Sequence, residues 1–166
     1  MKIIVATEKN WGIGKDNQLL VHLPGDLKFF REQTTGKVII LGRKTLETFP
    51  GGKPLPKRVN VIVTANPDFT KEGCLIASSV DQAVNLALEA AGEAGTDGIM
   101  VCGGASIYEQ MLPLCDTCIV TRMDQEFESD RFFPNLDEDP DFEKVWESEQ
   151  QEENGVTYTF TEYRRK

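Results

Sequence analysis

The sequence predicts an α/β fold: a single domain with a mostly parallel central sheet, flanking helices and a C-terminal antiparallel hairpin. Three observations support this prediction. Short apolar runs rich in branched residues recur along the chain, helical patterns lie between them, and the last part of the chain alternates with a period of two residues. The length of 166 residues is typical of one domain, so we assign residues 1–166 to it.

Five apolar runs are predicted to form the parallel part of the sheet. They are continuous rather than alternating, which is typical of strands that are buried on both faces, and such strands are usually parallel. The runs cover residues 3–5, 38–41, 59–63, 99–102 and 118–120.

The clearest helix is predicted to begin after Ser79. Ser79 and Gln82 form the pattern of a capping box, in which each side chain bonds a free backbone N–H of the first turn. The apolar residues that follow have helical spacing, which predicts one buried face made of Val80, Val84, Ala87, Leu88 and Ala91.

The C-terminal segment is predicted to complete the sheet with antiparallel strands. Val156, Tyr158 and Phe160 alternate with threonines, as in a strand with one face nearer to water. Asn154 and Gly155, just before this strand, are a strong signal for a hairpin turn.

Charge and hydropathy exclude several classes of function. The chain has 18 Lys and Arg against 27 Asp and Glu, and its net charge of −9 disfavours binding to nucleic-acid backbones. No apolar run approaches the roughly 18 residues of a membrane span, and the N-terminus lacks a signal-peptide layout. We therefore expect a cytoplasmic protein with neither nucleic-acid nor membrane partners.

The four cysteines are predicted to be structural thiols. Cys74, Cys102, Cys115 and Cys118 lie mostly in or beside apolar runs, as buried thiols of a reducing compartment do. Cys115 and Cys118 have the spacing of a redox pair. They lead into a strand, however, whereas a redox Cys-x-x-Cys usually begins a helix.

Two predicted strands run into a glycine-containing turn and then a helix. In residues 40–45 the turn holds Gly42, followed by Arg43, and in residues 101–106 it holds Gly103 and Gly104. Such a turn can direct free backbone N–H groups and the positive end of a helix at a phosphate, although it can equally be only a turn. Two of them in one small domain predict a ligand with more than one phosphate.

Asp26 is the most conspicuous carboxylate in the sequence. It lies in the first turn of a predicted helix, where it could simply complement the helix dipole. Leu23, Leu27 and Phe30 recur around it at helical spacing, so Asp26 would border an apolar face. Its pKa would then be raised, which suits a group that binds a cationic heterocycle and supplies protons.

No metal site is expected in this chain. His22 is the only histidine, and no cluster of cysteines with His or Asp has the spacing of zinc ligands. A covalent acyl-transfer enzyme is also disfavoured, because the sequence contains no nucleophile elbow.

Taken together, the motifs resemble the dihydrofolate reductase family in its bacterial form. The resemblance runs over the whole chain, in the order of the family's motifs and close to their spacing. The matching segments are residues 12–14, 23–30, 40–45, 54–58, 103–104 and 107–108, with Thr121 in a late strand.

The resemblance implies hydride transfer from NADPH to C6 of 7,8-dihydrofolate with protonation of N5, giving tetrahydrofolate. Asp26 would be the pocket carboxylate that accepts hydrogen bonds from the pterin, with Thr121 as its hydroxyl partner. Leu19 and Val21 would lie beside the reacting rings. Protonation of N5 makes C6 more electrophilic, and fixed stacking of the rings supplies orientation.

The resemblance also implies the residues of both binding sites. Arg58 would hold the carboxylate of the glutamate tail, and Arg43 would lie near the 2′-phosphate of the cofactor. The substrate contacts would be Ile4, Val5, Leu27, Phe30, Phe49, Leu55, Arg58 and Tyr108. The cofactor contacts would be Ala6, Ile13, Gly42, Arg43, Lys44, Thr45, Thr64, Cys102, Gly103, Gly104, Ala105, Ser106 and Ile107. The Gly103–Gly104 peptide bond would be cis, and the enzyme would be a monomer and a target of antifolates.

Three residues depart from the pattern of the family. Val21 replaces a tryptophan that is nearly always present, Ala65 replaces a frequent side-chain contact to the 2′-phosphate, and Ser129 replaces a frequent glycine. Val21 is the departure nearest the expected chemistry.

Two other functions stay open at this point. A pyrimidine reductase of riboflavin synthesis would share the fold, but it would not need Asp26 and Arg58 together. The second is a folate- or nucleotide-binding protein without turnover. This alternative arises because position 21 holds a valine.

Overall fold

The apolar runs of the sequence form a nine-stranded sheet at the centre of the molecule. The computed structural model describes residues 1–166. Its strands are β1 (Lys2–Thr7), β2 (Gly12–Gly14), β3 (Val38–Gly42), β4 (Val59–Val63), β5 (Cys74–Ala77), β6 (Ile99–Val101), β7 (Thr117–Met123), β8 (Arg131–Phe132), β9 (Phe142–Glu147), β10 (Gln151–Glu153) and β11 (Val156–Arg165). Its helices are α1 (Pro24–Thr34), α2 (Arg43–Glu47), α3 (Val80–Ala91) and α4 (Ala105–Met111), with short 3-10 helices at Pro50–Gly52, Gly92–Gly98 and Leu112–Leu114.

The sheet is parallel in the middle and antiparallel at its C-terminal end. Its order is β10-β11-β7-β1-β6-β3-β4-β5, and β9 also pairs with β11. The six strands from β7 to β5 in this order are parallel to one another. Strand β11 is antiparallel to its three neighbours, β7, β9 and β10. The α/β prediction and the hairpin at Asn154 and Gly155 are confirmed.

Each central strand supplies two separate cores, because successive side chains point to opposite faces. In β3, Val38 and Ile40 pack on the side of α3 and α4, while Ile39 and Leu41 pack on the side of α1 and α2. The runs are continuously apolar because both faces of the sheet are covered by helices.

The capping of α3 differs in one detail from the predicted capping box. Ser79 Oγ accepts the Gln82 N–H at 3.1 Å, as expected, but Gln82 Oε1 accepts from the backbone and hydroxyl of Ser78 rather than from Ser79. The buried face is also shifted. Ala83 is fully buried while Leu88 is 37% exposed, because the helix packs on the sheet through its small residues.

The cysteines are free thiols, and three of them are buried. Cys115 and Cys118 belong to the core on the α3 side, and burial raises the pKa of Cys115 to about 11. A thiol with so high a pKa is a poor nucleophile at neutral pH, which supports the structural interpretation.

No helix is long and apolar enough to cross a membrane. No group of three or more His, Cys, Asp or Glu side chains is arranged to hold a metal ion.

Candidate active site

A large cavity opens where the parallel strands end. It has a volume of about 720 Å³, and its wall includes residues that end or follow β1, β3, β4, β5 and β6. Ligands of open α/β sheets usually bind at the carboxyl ends of the strands, where the connections diverge. This cavity has the size and the place expected of a ligand site.

The two glycine turns of the sequence lie side by side in this cavity. The Gly42 N–H donates to Gly103 O at 2.8 Å, so the turn after β3 is hydrogen-bonded to the turn after β6. The Gly103–Gly104 peptide bond is cis. Gly103 has φ of +115°, and an added Cβ there would lie 3.2 Å from Tyr108 Oη, so this turn requires glycine.

The wall of the cavity is basic although the whole protein is acidic. Lys15, Arg43, Lys44 and Arg131 line it, no Asp or Glu does, and hydroxyl groups add further hydrogen-bond donors. All the expected cofactor contacts line this one cavity: Ala6, Ile13, Gly42, Arg43, Lys44, Thr45, Thr64, Cys102, Gly103, Gly104, Ala105, Ser106 and Ile107.

Arg43 already has a carboxylate partner. It begins α2 and forms an ion pair with Glu47 one turn later, at 2.7 Å between Arg43 Nη1 and Glu47 Oε1. Both side chains are partly exposed, so the pair is of the weak, screened kind. A polyphosphate anion can therefore compete for the guanidinium.

A smaller cavity adjoins the first and contains Asp26. Ala6, Ile13 and Leu19 line both cavities, so they mark the place where the two meet. The smaller one has a volume of about 60 Å³, and eight of its ten lining residues are hydrophobic, among them Val21 and Leu27.

The Asp26 carboxylate is held by the sheet. It lies in the first turn of α1, and Thr121 of β7 donates from Oγ1 to Asp26 Oδ1 at 2.6 Å. Burial raises the pKa of Asp26 above its ordinary value, the Thr121 hydrogen bond opposes that rise, and the charge of Glu153 adds to it. Asp26 and Thr121, far apart in the sequence, are thus one hydrogen-bonded unit.

The expected substrate contacts divide into two groups. Leu27 lines the smaller cavity, Val5 and Tyr108 line the larger one, and Ile4 is buried with its carbonyl accepting the Tyr108 hydroxyl at 2.7 Å. The remaining apolar contacts pack on the core along α1 and do not line either cavity: Phe30, Phe49 and Leu55.

Arg58 lies at the opposite end of α1 from Asp26. Its Nη1 donates to Thr34 Oγ1 at 3.0 Å and its Nε donates to Pro56 O at 2.9 Å. Thr34 is eight residues after Asp26, which corresponds to roughly 12 Å along a helix. These two bonds fix the plane of the guanidinium and leave its Nη2 donors unpaired in the fold.

Val21 and Leu19 lie on the loop between β2 and α1. Val21 is half-buried and packs with a small apolar cluster that includes Leu23, Met123 and Tyr158. Leu19 is 61% exposed.

A buried carboxylate and a serine hold the loop that follows β1. Glu8 is 1% exposed, and it accepts the N–H groups of Asn10, Gly12 and Phe127 at 2.7, 2.8 and 3.2 Å. An added Cβ at Gly12 would lie 2.1 Å from Ser129 Oγ. The serine that departs from the family pattern is therefore accommodated by a glycine opposite it.

Sequence reasoning missed several residues of the site. Ser78 and Ser79 line the large cavity because they follow β5, a strand of only four residues that was not predicted. Lys15, Gln18 and Arg131 also line it, but no motif distinguishes them from ordinary loop residues. The only feature of the sequence that could have indicated Ser78 and Ser79 as cavity residues is their position just before a predicted helix.

Comparison with known proteins agrees with the geometry of the site. The family model described as dihydrofolate reductase matches residues 1–165. A dihydrofolate reductase of Bacillus subtilis is 39% identical, with 100% of this chain and 95% of the relative covered, and one of Haemophilus influenzae is 43% identical, with 81% and 78% covered.

A solved structure supports the same family through its fold. The dihydrofolate reductase of Enterococcus faecalis, complexed with NADP(H) and RAB-propyl, has a TM-score of 0.85 and 34% identity, and the match covers 99% of this chain and 95% of that one. With this agreement in sequence, in fold and in the place of the site, the chain belongs to the dihydrofolate reductase family.

Proposed function

We propose that this enzyme reduces 7,8-dihydrofolate to tetrahydrofolate, with NADPH as the reductant. The observation that carries the proposal is the pair of adjoining cavities: a large basic one beside two glycine turns, and a small apolar one that contains Asp26. When bound, NADPH supplies the hydride that adds to C6 of the substrate.

The large cavity fits a dinucleotide with several phosphates. Four cationic side chains line it and no carboxylate does, so its wall favours a bound anion. Gly42 and Gly103 line the cavity and have no side chain of their own, so a phosphate can approach the backbone of these turns closely. Arg43 is assigned to the 2′-phosphate, where a charge-assisted bond favours NADPH over NADH.

Asp26 is assigned the recognition of the pterin and the supply of the proton. Thr121 orients its Oδ1, so Oδ2 is free to accept hydrogen bonds from the amino group and ring N–H of the substrate. Burial raises the pKa of Asp26, which keeps the group basic enough to favour protonation at N5. Leu19, Val21 and Leu27 supply apolar walls of the cavity that contains Asp26.

The length of α1 supports the assignment of Arg58 to the tail of the substrate. Asp26 and Arg58 lie at its two ends, and Ile4, Phe30, Phe49 and Leu55 form an apolar surface between them. A planar guanidinium with free donors is suited to a carboxylate. A substrate with a ring that offers N–H donors at one end and a carboxylate at the other matches this arrangement.

The proposal is tested by following NADPH absorbance with and without dihydrofolate, for the wild type and for Asp26→Asn. We expect consumption that depends on dihydrofolate, and a loss of about 100-fold or more in the variant at neutral pH. The variant must first be shown to be folded by circular dichroism. Wild-type protein that binds both ligands without turnover would overturn the proposal, and so would a folded variant with the wild-type rate.

A monomer with one domain over residues 1–166, located in the cytoplasm, is part of the same proposal. The free, buried thiols support a reducing compartment. Light scattering during size-exclusion chromatography would test the oligomeric state.

A further inference from the structure

The N-terminus of α1 has no capping side chain of its own. Its N-cap residue is Leu23, and the residue after it is Pro24, which has no N–H to donate. The next N–H, that of Gly25, donates to Glu153 Oε1 at 2.7 Å. A carboxylate from β10 therefore caps the helix that carries Asp26, across 128 residues of sequence.

The Glu153 carboxylate is held in place from a second side. The Tyr158 hydroxyl donates to the same Oε1 at 2.6 Å. An added Cβ at Gly25 would lie 2.6 Å from both Glu153 Oε1 and Tyr158 Oη, so any larger residue there would displace the carboxylate. Gly25, Glu153 and Tyr158 are thus in close mutual contact at the start of α1.

Few charged groups surround Asp26. The titratable groups that act on it or are affected by it lie on three elements: Glu153 on β10, Tyr158 on β11 and Tyr108 on α4. The exposed His22, on the loop before α1, also lines the cavity that contains Asp26. No Lys, Arg or His is paired with Asp26 or with Glu153. Glu153 is therefore a carboxylate without a cationic partner, and it is hydrogen-bonded to Gly25, the residue that precedes Asp26.

We propose that Glu153 is a positioning residue for Asp26: it caps the helix that carries the catalytic carboxyl and opposes the loss of its proton. The inference rests on the proposed role of Asp26. The cap holds the first turn of α1, while a second negative charge beside Asp26 disfavours its ionisation.

The central test compares Glu153→Gln with Glu152→Gln. Glutamine keeps an acceptor for the Gly25 N–H and the Tyr158 hydroxyl but removes the charge. Glu152 is the exposed neighbour on the same strand, so its variant has the same net charge without the contact. The Asp26 carboxyl carbon is titrated by NMR in ligand-free protein labelled with ¹³C-aspartate, and the signal is assigned with Asp26→Asn.

We expect Glu153→Gln to lower the Asp26 titration midpoint by about 0.5 pH unit and Glu152→Gln to leave it in place. The descending limb of the pH profile of kcat should shift to lower pH by a similar amount. Glu153→Ala should give the same shift and also a lower Tm, because it removes the cap as well as the charge. It also serves as the second variant if the glutamine protein folds poorly.

An unchanged midpoint in both folded Glu153 variants, or an equal shift in Glu152→Gln, would overturn the inference. Its failure is distinct from failure of the proposed function, since the titration needs no ligand and no turnover. Wild-type protein without dihydrofolate-dependent NADPH consumption would remove the catalytic role of Asp26, while a shifted midpoint would still establish that Glu153 acts on its ionisation.

Discussion

Single residues form the wall of the small cavity that contains Asp26, and Val21 is one of them. Val21 stands where a tryptophan is usual in the family, and its half-buried side chain packs beside Leu23 and Met123. Valine supplies part of the apolar wall of the small cavity but no hydrogen-bond donor, so we expect this cavity to be wider and to hold more water than it would with a tryptophan at position 21.

The first prediction concerns restoration of that indole. Val21→Trp should raise kcat/KM for dihydrofolate about five- to thirtyfold, because added packing and one polar contact contribute roughly 1 to 2 kcal/mol. The adjoining cavity of about 60 Å³ can accept part of the ring. Steady-state kinetics and thermal unfolding are measured together. A lower Tm without a gain in kcat/KM would indicate overpacking against Leu19 and Leu20. No change in Tm or in kcat/KM would mean that Val21 does not limit the activity.

The second prediction concerns Arg43 and the choice of cofactor. Arg43→Ala should reduce the ratio of kcat/KM for NADPH over NADH by roughly tenfold or more, since one charge-assisted bond to a phosphate is lost. Lys53→Ala, which removes an exposed charge just after the 3-10 helix Pro50–Gly52, is the matched control for net charge. An Arg43 variant with the wild-type ratio would place recognition of the 2′-phosphate on other side chains of the wall.

Elements are held together by residues that belong to different loops. Glu8 joins the loop after β1 to the loop before β8 through three N–H groups, and Arg122 bonds the carbonyls of Glu8 and Lys9 from β7. These loops lead into β2 and β8, and the large cavity is lined by Ile13 of β2, Lys15 just after it and Arg131 of β8. The geometry of the site consequently depends on loop-to-loop contacts.

The third prediction tests the contact between Gly12 and Ser129. Gly12→Ala should destabilise the fold by about 1–3 kcal/mol, because the new methyl would meet the serine side chain 2.1 to 2.5 Å away. Adding Ser129→Gly should recover part of the loss, because it removes the serine contacts but leaves Glu8 Cγ 2.9 Å from the new methyl, and the two substitutions are therefore non-additive. Urea denaturation of both single variants and the double variant measures the coupling. Strictly additive losses would mean that the two residues do not share this space.

At the scale of the whole molecule, the two cavities contain ionisable side chains in places where their charges lower the stability of the fold. Asp26 is kept in apolar surroundings, and the large cavity gathers four cations in a protein with a net charge of −9. A carboxylate in apolar surroundings and a cluster of like charges usually lower the free energy of unfolding, and the packing of the two cores offsets that loss.

The fourth prediction follows from the raised pKa of Asp26. Because the folded state holds this proton more tightly than the unfolded state, the stability due to Asp26 is full below the unfolded pKa of about 3.9 and is lost as the pH rises through the folded pKa. Asp26→Asn should therefore have a higher Tm than the wild type at pH 7, and the difference should vanish in acid. Calorimetry at both pH values checks this. A variant less stable than the wild type at pH 7 would contradict it.

The sequence alone determined the parts of this protein that depend on local patterns. Continuous apolar runs marked the five central strands, and Asn154 with Gly155 marked the hairpin, because hydrophobic periodicity and turn chemistry are properties of neighbouring residues. The matched motifs were sufficient for the family and therefore for the expected identities of the site residues. Their roles in catalysis and binding stay predictions until the variants are measured.

Only the tertiary structure decided which distant residues meet. The family resemblance named Thr121 as the partner of Asp26, and the structure shows that hydrogen bond, but nothing in the sequence indicated that Glu153 would cap the helix of Asp26, since that contact arises only when β10 is brought beside α1. The same holds for the serines after β5, which reach the cavity because parallel strands end at one edge of the sheet. Contacts over long sequence separations depend on the packing of whole elements, and packing is not a property of any short segment.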